Sequence, residues 1–301
     1  MPTSEDVTLV PDMHPDPRVK VFRRKLTDLD EYESMEVDAY VILTSRYTVV
    51  LDTLLCPEDA QAMMDLVGNP LPGRALLVVN SHADWDHCWG NACFTGKSAV
   101  PIIGHDYEVV RMESAEARAD LDEYQQKYPL FRNVALVSPT VTFNDHLTIN
   151  GGDLSIRLFA APGHHPDHCA AWIPELRLLL AFDAIEKPFP IMENAASVPA
   201  MFATLDYFLS LQPERVLCSH GNVTDPGLIQ QNLNYLREIE RRCQAFLQSR
   251  HPNSEELEHA ADLIGYPFDE VIAGSTEPVD RAFYSWAHEE NARAILAWSM
   301  Q

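Results

Sequence analysis

Four side chains able to ligate a metal fall within six consecutive residues, His82-Ala83-Asp84-Trp85-Asp86-His87, shortly after the apolar run ALLVVN at 75–80. A continuous apolar run between turn signals suits a strand buried on both faces. A polar cluster directly beyond it is a loop on a rigid support, the usual place for functional side chains. In an extended loop, residues two apart point the same way, so His82 and Asp84 can grip one ion together. Asp86 and His87 are adjacent and diverge, so they can turn toward a second. Imidazole and carboxylate are ligands for zinc, iron and manganese. In isolation the cluster reads equally as a solvated polar loop, so the rest of the chain must decide.

Three more polar sites sit at the ends of apolar segments. Gly163-His164 follows LSIRLFA, and Gly163 permits a tight turn that presents His164. Asp183 ends LLLAF, where an acid without a partner is costly. His220-Gly221 follows RVLCS. Each alone is weak, because a lone histidine is more often structural than a ligand. Together, four polar sites at the ends of four apolar strands can converge on one rim of a sheet.

The order of elements agrees with a layered fold. Strands are expected over 19–26, 39–44 and 47–51, the last two as a hairpin, then a helix from Pro57 stopped by Gly68. Strands over 75–80 and 100–104 follow, then a mostly helical charged stretch over 106–127. Four consecutive strands are expected over 141–150, 154–160, 170–173 and 176–182, with Gly151-Gly152 turning between the first two. A helix over 201–211 and a strand over 215–219 complete the pattern. Beyond His220 only helices are expected, over 228–250, 254–264 and 277–299. Hairpins mixed with strand–helix alternation indicate an α/β fold of the layered α+β kind, residues 1–225, with a helical extension, 226–301, packed on the same domain.

Composition narrows the function. With 22 basic against 45 acidic residues the net charge is −23. A nucleic-acid partner needs a basic footprint, so none is expected, and the charge itself reads as solubility. No run of about 18 apolar residues occurs, so no membrane span is expected. The acidic, proline-bearing start lacks a signal peptide's basic and apolar segments, which makes a cytoplasmic location the default. The six cysteines form no C-x-x-C pair, so reduced, partly buried thiols are expected. Cys88 and Cys169 lie close enough to the ligand candidates to line the site.

The series of motifs resembles the metallo-β-lactamase superfamily: an early aspartate after a hairpin strand, H-x-H-x-D-H, a Gly-His loop, a strand-end aspartate and a final histidine. Here these are Asp52, the His82–His87 cluster, Gly163-His164, Asp183 and His220. The resemblance covers roughly residues 18 to 224 and implies an αββα sandwich with the site on one edge between two sheets. It implies a first metal held by His82, residue 84 and His164, a second by Asp86, His87 and His220, a bridging Asp183, and Asp52 bracing the ligand loop. One position departs: Asp84 stands where the family's second histidine is usual. As a ligand, Asp84 makes the centre harder and less positive, which favours iron or manganese over zinc and weakens the acidification of bound water. As a non-ligand, it leaves a one-metal enzyme.

The function expected is a hydrolase with two divalent transition metal ions, acting on a small-molecule ester, lactone, thioester or phosphoester. A non-haem iron redox enzyme of the same fold is the alternative, favoured by Asp84 and disfavoured by the lack of a flavodoxin-like domain. Asp86, His165 and His168 are the candidate catalytic side chains, the histidines as proton donors or as hydrogen-bonding supports. Lys187 is either a surface lysine or a contact for an anionic substrate. Trp85 and Trp89 either wall the pocket or pack beneath the loop. The C-terminal helices either cover the site or form a homodimer surface.

Overall fold

The computed structural model describes residues 6–301 except 31, 33, 34, 69–72, 97, 98, 276 and 277. Two sheets face each other. The first contains β1 (Val7–Val10), β2 (Val19–Lys25), β3 (Glu36–Leu43), β4 (Tyr47–Leu51), β5 (Ala75–Val79), β6 (Ile102–His105) and β7 (Val141–Phe143), in that spatial order. The second contains β8 (His146–Asn150), β9 (Ser155–Ala160), β10 (Cys169–Ile173), β11 (Leu178–Leu180) and β12 (Arg215–Leu217). Each begins as an antiparallel meander. The first turns parallel from β4 onward, and the second does so between β11 and β12.

Successive side chains of a strand lie on opposite faces, and β3, β4, β10 and β11 read as apolar runs because both of their faces are buried. β5, expected to be buried on both faces, is buried only at Val78 and Val79. On β3, Tyr40 and Ile42 point into the space between the sheets while Ala39 and Val41 pack outward. On β10, Cys169, Ala171 and Ile173 face inward, and Ala170 and Trp172 outward. Each fully buried aliphatic or aromatic side chain contributes about 1.5–3 kcal/mol of transfer free energy. The outer faces are covered by helices α1 (Pro57–Val67), α5 (Val198–Leu211), α6 (Gly227–Leu247) and α9 (Arg281–Ser299), whose apolar residues belong to the same core as the outer strand residues. The layered sandwich expected from the motif order is therefore the one observed.

Several boundaries differ from expectation for local reasons. The expected strand over 141–150 is two strands in different sheets: β7 pairs with β6, and after a bend at Asn144-Asp145 β8 pairs with β9. A change of sheet leaves the apolar alternation unaltered, so nothing in the pattern marks it. The helical stretch over 106–127 is α3 (Asp106–Met112) and α4 (Ala115–Lys127), separated because Ser114 caps α4 by accepting from the Ala117 amide at 3.0 Å. The strand expected over 176–182 is confined to β11, since short 3-10 turns occupy Pro174–Leu176 and Phe182–Ala184. The helix expected over 254–264 is a 3-10 turn, Glu256–His259, followed by the single turn α7 (Ala260–Leu263), and a further turn, α8 (Phe268–Val271), was not foreseen. The last helix starts at Arg281, where Asp280 caps it at the Phe283 amide, and Glu277 lies outside the described residues. β1 was also missed. Among the described residues no helix is long and apolar enough to cross a membrane.

The register brings the strand ends to one rim. Leu51 pairs with Val79, Ala160 with Cys169, and Leu180 with Leu217. The sheets are joined at that rim by Cys169 N–H to Ser81 O at 2.8 Å and Asp38 N–H to Ser219 O at 2.8 Å.

Candidate metal centre

Backbone geometry delivers the ligands. Asp84 is extended (φ −70°, ψ 151°) and starts the single turn α2 (Trp85–Cys88), which carries Asp86 and His87. Asp52 and Phe182 both adopt positive φ, 64° and 50°, at the strand ends that lead into the site. Such conformations store strain and persist where the surroundings over-determine them. Gly163, at φ +145°, passes so close to α5 that an added Cβ would lie 2.6 Å from Met201 Cα.

The side chains converge on Asp183. Its Oδ2 lies 3.2 Å from His87 Nε2, 3.4 Å from His220 Nε2, and 3.7 Å from both His82 and His164 Nε2. Asp84 Oδ2 stands 3.3 and 3.5 Å from His82 and His164 Nε2. Asp86 Oδ2 stands 3.4 and 3.6 Å from His87 and His220 Nε2. Three overlapping groups able to hold an ion result: His82 with Asp84 and His164; His82 with His87 and Asp183; Asp86 with His87 and His220.

The hydrogen bonding of the four imidazoles fits a metal. Every Nδ1 is engaged: His82 with Ser81 Oγ (2.9 Å), His87 with Asp52 Oδ2 (2.9 Å), His164 with Ile191 O (3.0 Å) and His220 with Glu36 O (2.7 Å). Every Nε2 therefore points at the cluster. The Nε2 atoms of His82, His87 and His164, with Asp183 Oδ1, are buried without a hydrogen-bond partner. Buried polar atoms are rarely left so, unless an ion or water completes them. Ligands about 2.0–2.2 Å from a tetrahedral ion stand roughly 3.3–3.6 Å apart, the spacing seen here.

Charge is arranged accordingly. Burial alone would raise the Asp183 carboxyl, but His87 and His220 hold it well below the usual carboxylate range. Asp84 behaves likewise beside His165 and His82. Burial disfavours the His220 imidazolium, yet Asp183 outweighs it and pushes the group up to about 10. Glu186 is pushed up to about 8, mainly by burial, and accepts a hydrogen bond from Tyr284.

The other sequence candidates are distributed around this cluster. Asp52 accepts from Ser81 N–H (2.6 Å), Ser81 Oγ (2.8 Å) and the His87 ring, so it braces two ligand-bearing segments. His165 lines a cavity of about 360 Å³ that opens over Asp84, Asp86, His164, Asp183 and His220, and its Nε2 is 3.2 Å from Asp84 Oδ2. His168 is fully buried with its ring 5.1 Å from that of His82, does not line the cavity, and is pushed down to about 3 by burial and then His164. Trp85 lines the cavity, whereas Trp89 packs in the core against Tyr124 and Phe131. Cys88 and Cys169 do not line it. Their thiols donate to Asp84 O and Asn80 O, each at 3.3 Å, and support the loop backbone. Lys187 borders a neighbouring cavity of about 430 Å³ that His220 also lines.

The sequence reading missed the supports supplied by α3. Arg111 pairs with Asp84 at 2.6 Å and with Asp167 at 2.7 Å, and Asp167 accepts from Ala83 N–H at 2.8 Å. Buried Glu108 accepts from Asn80 Nδ2 at 2.5 Å in space left by Gly104. The spacing of Glu108 and Arg111, three apart on one helix, was visible; the face it meets was not. The C-terminal helices were also underread. Asn232 on α6 holds the Glu186 backbone, and Asn291 on α9 holds those of Pro190 and Met192, fixing the segment whose Ile191 carbonyl orients His164.

A two-sheet sandwich carrying a histidine–carboxylate cluster at one rim defines a fold with residues able to hold metal ions. Residues 35–220 match the metallo-beta-lactamase superfamily, and the chain belongs to that superfamily, whose members are mostly hydrolases and typically bind metal ions. No curated protein matches the sequence. Among solved structures it is similar to a metallo-beta-lactamase family protein from Thermus thermophilus, with a TM-score of 0.61 and 16% identity over 96% of this chain and 92% of that one. It is also similar to a metallo-beta-lactamase from Pontibacter korlensis, with a TM-score of 0.59 and 15% identity over 76% of this chain and 97% of that one. At these identities the likeness concerns the fold.

Proposed function

We propose that the protein is a metal-dependent hydrolase of small-molecule esters, lactones, thioesters or phosphoesters, with two divalent transition metal ions. The carrying observation is the convergence of four Nε2 atoms and three carboxylates beneath an open cavity. His82, Asp84 and His164 would hold one ion, Asp86, His87 and His220 the other, and Asp183 both. Bound there, the ions would acidify a water and polarise the bond to be cleaved. Hydrolysis adds water across the bond cleaved, acyl–oxygen in an ester or lactone, acyl–sulfur in a thioester and phosphorus–oxygen in a phosphoester. The water oxygen ends on the acyl carbon or phosphorus, and one proton reaches the departing oxygen or sulfur. His165, at the cavity wall, is the residue best placed to deliver that proton; buried His168 has no comparable exposure. Asp52, Arg111 and Asp167 fix the ligand loops.

The test is elemental analysis of protein purified without added metal, followed by a screen of ester, lactone, thioester and phosphodiester substrates. Near two equivalents of metal with turnover in one class supports the reading; turnover that survives complete metal removal would sink it. A non-haem iron redox enzyme is the second reading, favoured by Asp84, whose carboxylate makes the ligand set harder. Iron as the native metal, with activity lost on oxidation and none regained with zinc or manganese, would select it.

A further inference from the structure

The cavity above the cluster has an aromatic wall and a particular charge. Tyr32, Trp85, Phe283 and Trp286 form a continuous arc, with ring centroids 6.0 Å apart for Tyr32–Trp85, 5.9 Å for Tyr32–Phe283 and 5.7 Å for Phe283–Trp286. Trp286 is 53% exposed. An indole held largely in water contributes little to folding, and exposed aromatic surface at a cavity mouth marks a contact surface. The charged wall residues beyond the metal cluster are Glu193 and Glu290; among the described residues no lysine or arginine lines the cavity. Glu193 is exposed, 3.7 Å from His165 Nδ1. Arg293 is occupied by Glu290 and by Glu258 at 2.6 Å, and Lys187 borders the other cavity. A substrate carboxylate or phosphate entering this cavity would meet no lysine or arginine among the described wall residues and would face Glu193.

Resting on the hydrolase reading above, we infer that the natural substrate is an uncharged ester, thioester or lactone with an apolar group, which the Tyr32–Trp85–Phe283–Trp286 arc receives, and that anionic substrates, phosphodiesters included, are discriminated against. Two divalent ions bound by His82, Asp84, His164, Asp86, His87, His220 and Asp183 would bring four positive charges, which the three ligand carboxylates and one hydroxide would formally offset.

Hexananilide and adipanilate, the same amide with a terminal carboxylate, are the probes. Binding is read from quenching of tryptophan fluorescence in metal-free protein, since Trp85 and Trp286 lie in the wall. Hydrolysis of the matching 4-nitrophenyl hexanoate and adipate monoester is read in metal-loaded protein. Hexananilide is expected to bind at least about tenfold more tightly than adipanilate. Glu193→Lys is expected to shrink that ratio about threefold or more. The ligand carboxylates are the same in both proteins, so the change reports on the wall alone. Trp286→Ala should weaken both probes while leaving the urea midpoint in place. Equal or tighter binding of adipanilate, a ratio unmoved by Glu193→Lys, or no binding of hexananilide overturns the inference. If the preference appears and shrinks with Glu193→Lys but neither these esters nor any substrate of the screen is hydrolysed, the pocket assignment stands and the hydrolase reading falls.

Discussion

Arg111 Nη2 lies 2.6 Å from Asp84 Oδ1, on the side of the carboxylate away from the histidines. Oδ1 is thereby committed, and Oδ2 is left between His82 and His164. The same guanidinium holds Asp167 Oδ1, and Asp167 Oδ2 receives the Ala83 amide, so one arginine fixes both the orientation of Asp84 and the backbone before it. A planar fork presents its N–H donors to two carboxylates at a fixed spacing, which an ammonium on a flexible stem lacks. Arg111→Met should weaken one of two metals about 10–100-fold, as removal of such supports generally does, with Arg111→Lys intermediate. Titration of stripped protein with zinc and manganese, counting equivalents, checks this. An equal effect on both metals would argue against it.

Asp183 has a different position, within 3.2–3.7 Å of all four imidazoles. Asp183→Ala should therefore weaken both metals together, where Arg111→Met weakens one. Retention of two equivalents at full occupancy would show that Asp183 is not shared.

Asp84 sets the hardness of its site. Asp84→His should move metal preference toward zinc when zinc, iron and manganese are supplied equally, because imidazole is a softer ligand and one negative charge is lost. Arg111 then faces an imidazole, so Asp84→His combined with Arg111→Met tests whether that clash obscures the effect. An unchanged metal ratio in both proteins refutes the charge argument.

What the chain discloses depends on whether a residue's partner is local. His82, Asp84, Asp86 and His87 are legible because they cluster directly after one apolar run, and His164, Asp183 and His220 because each interrupts the end of another. Asp52 is legible only through the motif order. Arg111 is not legible at all: it lies in a charged helical stretch, and its partners are 27 and 56 residues away. Asp167 and Glu108 fail for the same reason, as acids whose burial is a property of the packed rim. The division of 141–150 between two sheets escapes because alternation records burial and not the identity of the partner strand. The role of α9 escapes because Phe283 and Trp286 read as ordinary amphipathic-helix residues until the cavity is seen.

Far from the metal centre, a buried acid predicts how stability varies with pH. Asp59 on α1 is 3% exposed, and burial pushes its carboxyl up to about 6 from 3.8 despite Arg24 at 3.3 Å. Arg24 is nearer to Asp28, at 2.6 Å, which leaves Asp59 the weaker claim on it. A raised folded-state pKa contributes stability that is complete below the unfolded value and is lost as pH rises through the folded one. Wild type should therefore lose of order 1–3 kcal/mol relative to Asp59→Asn between pH 4 and 7. Urea midpoints of both proteins across that range, with chelator present throughout, give the difference. A difference independent of pH would mean that Asp59 is ionised throughout in the folded protein.

Gly163 couples the helical layer to the ligand set. Its φ of +145° is open to glycine and strained for any other residue, and a Cβ there would meet Met201 of α5 at 2.6 Å from its Cα and 2.9 Å from its amide nitrogen. These are backbone atoms in a helix whose Met201, Phe202 and Leu205 are buried, so α5 cannot step aside cheaply. The turn must move instead, and it carries His164, whose Nδ1 is held by Ile191 O. Gly163→Ala should accordingly cost about 1–3 kcal/mol in stability and should also weaken the metal that His164 helps hold. Gly104→Ala is the contrast: it meets the Glu108 carboxylate and Pro139, so it should lower stability by crowding a buried acid without displacing a ligand. Denaturant midpoints together with metal titrations of the two variants separate the cases. If Gly163→Ala binds both metals as wild type does, the turn is not what sets His164.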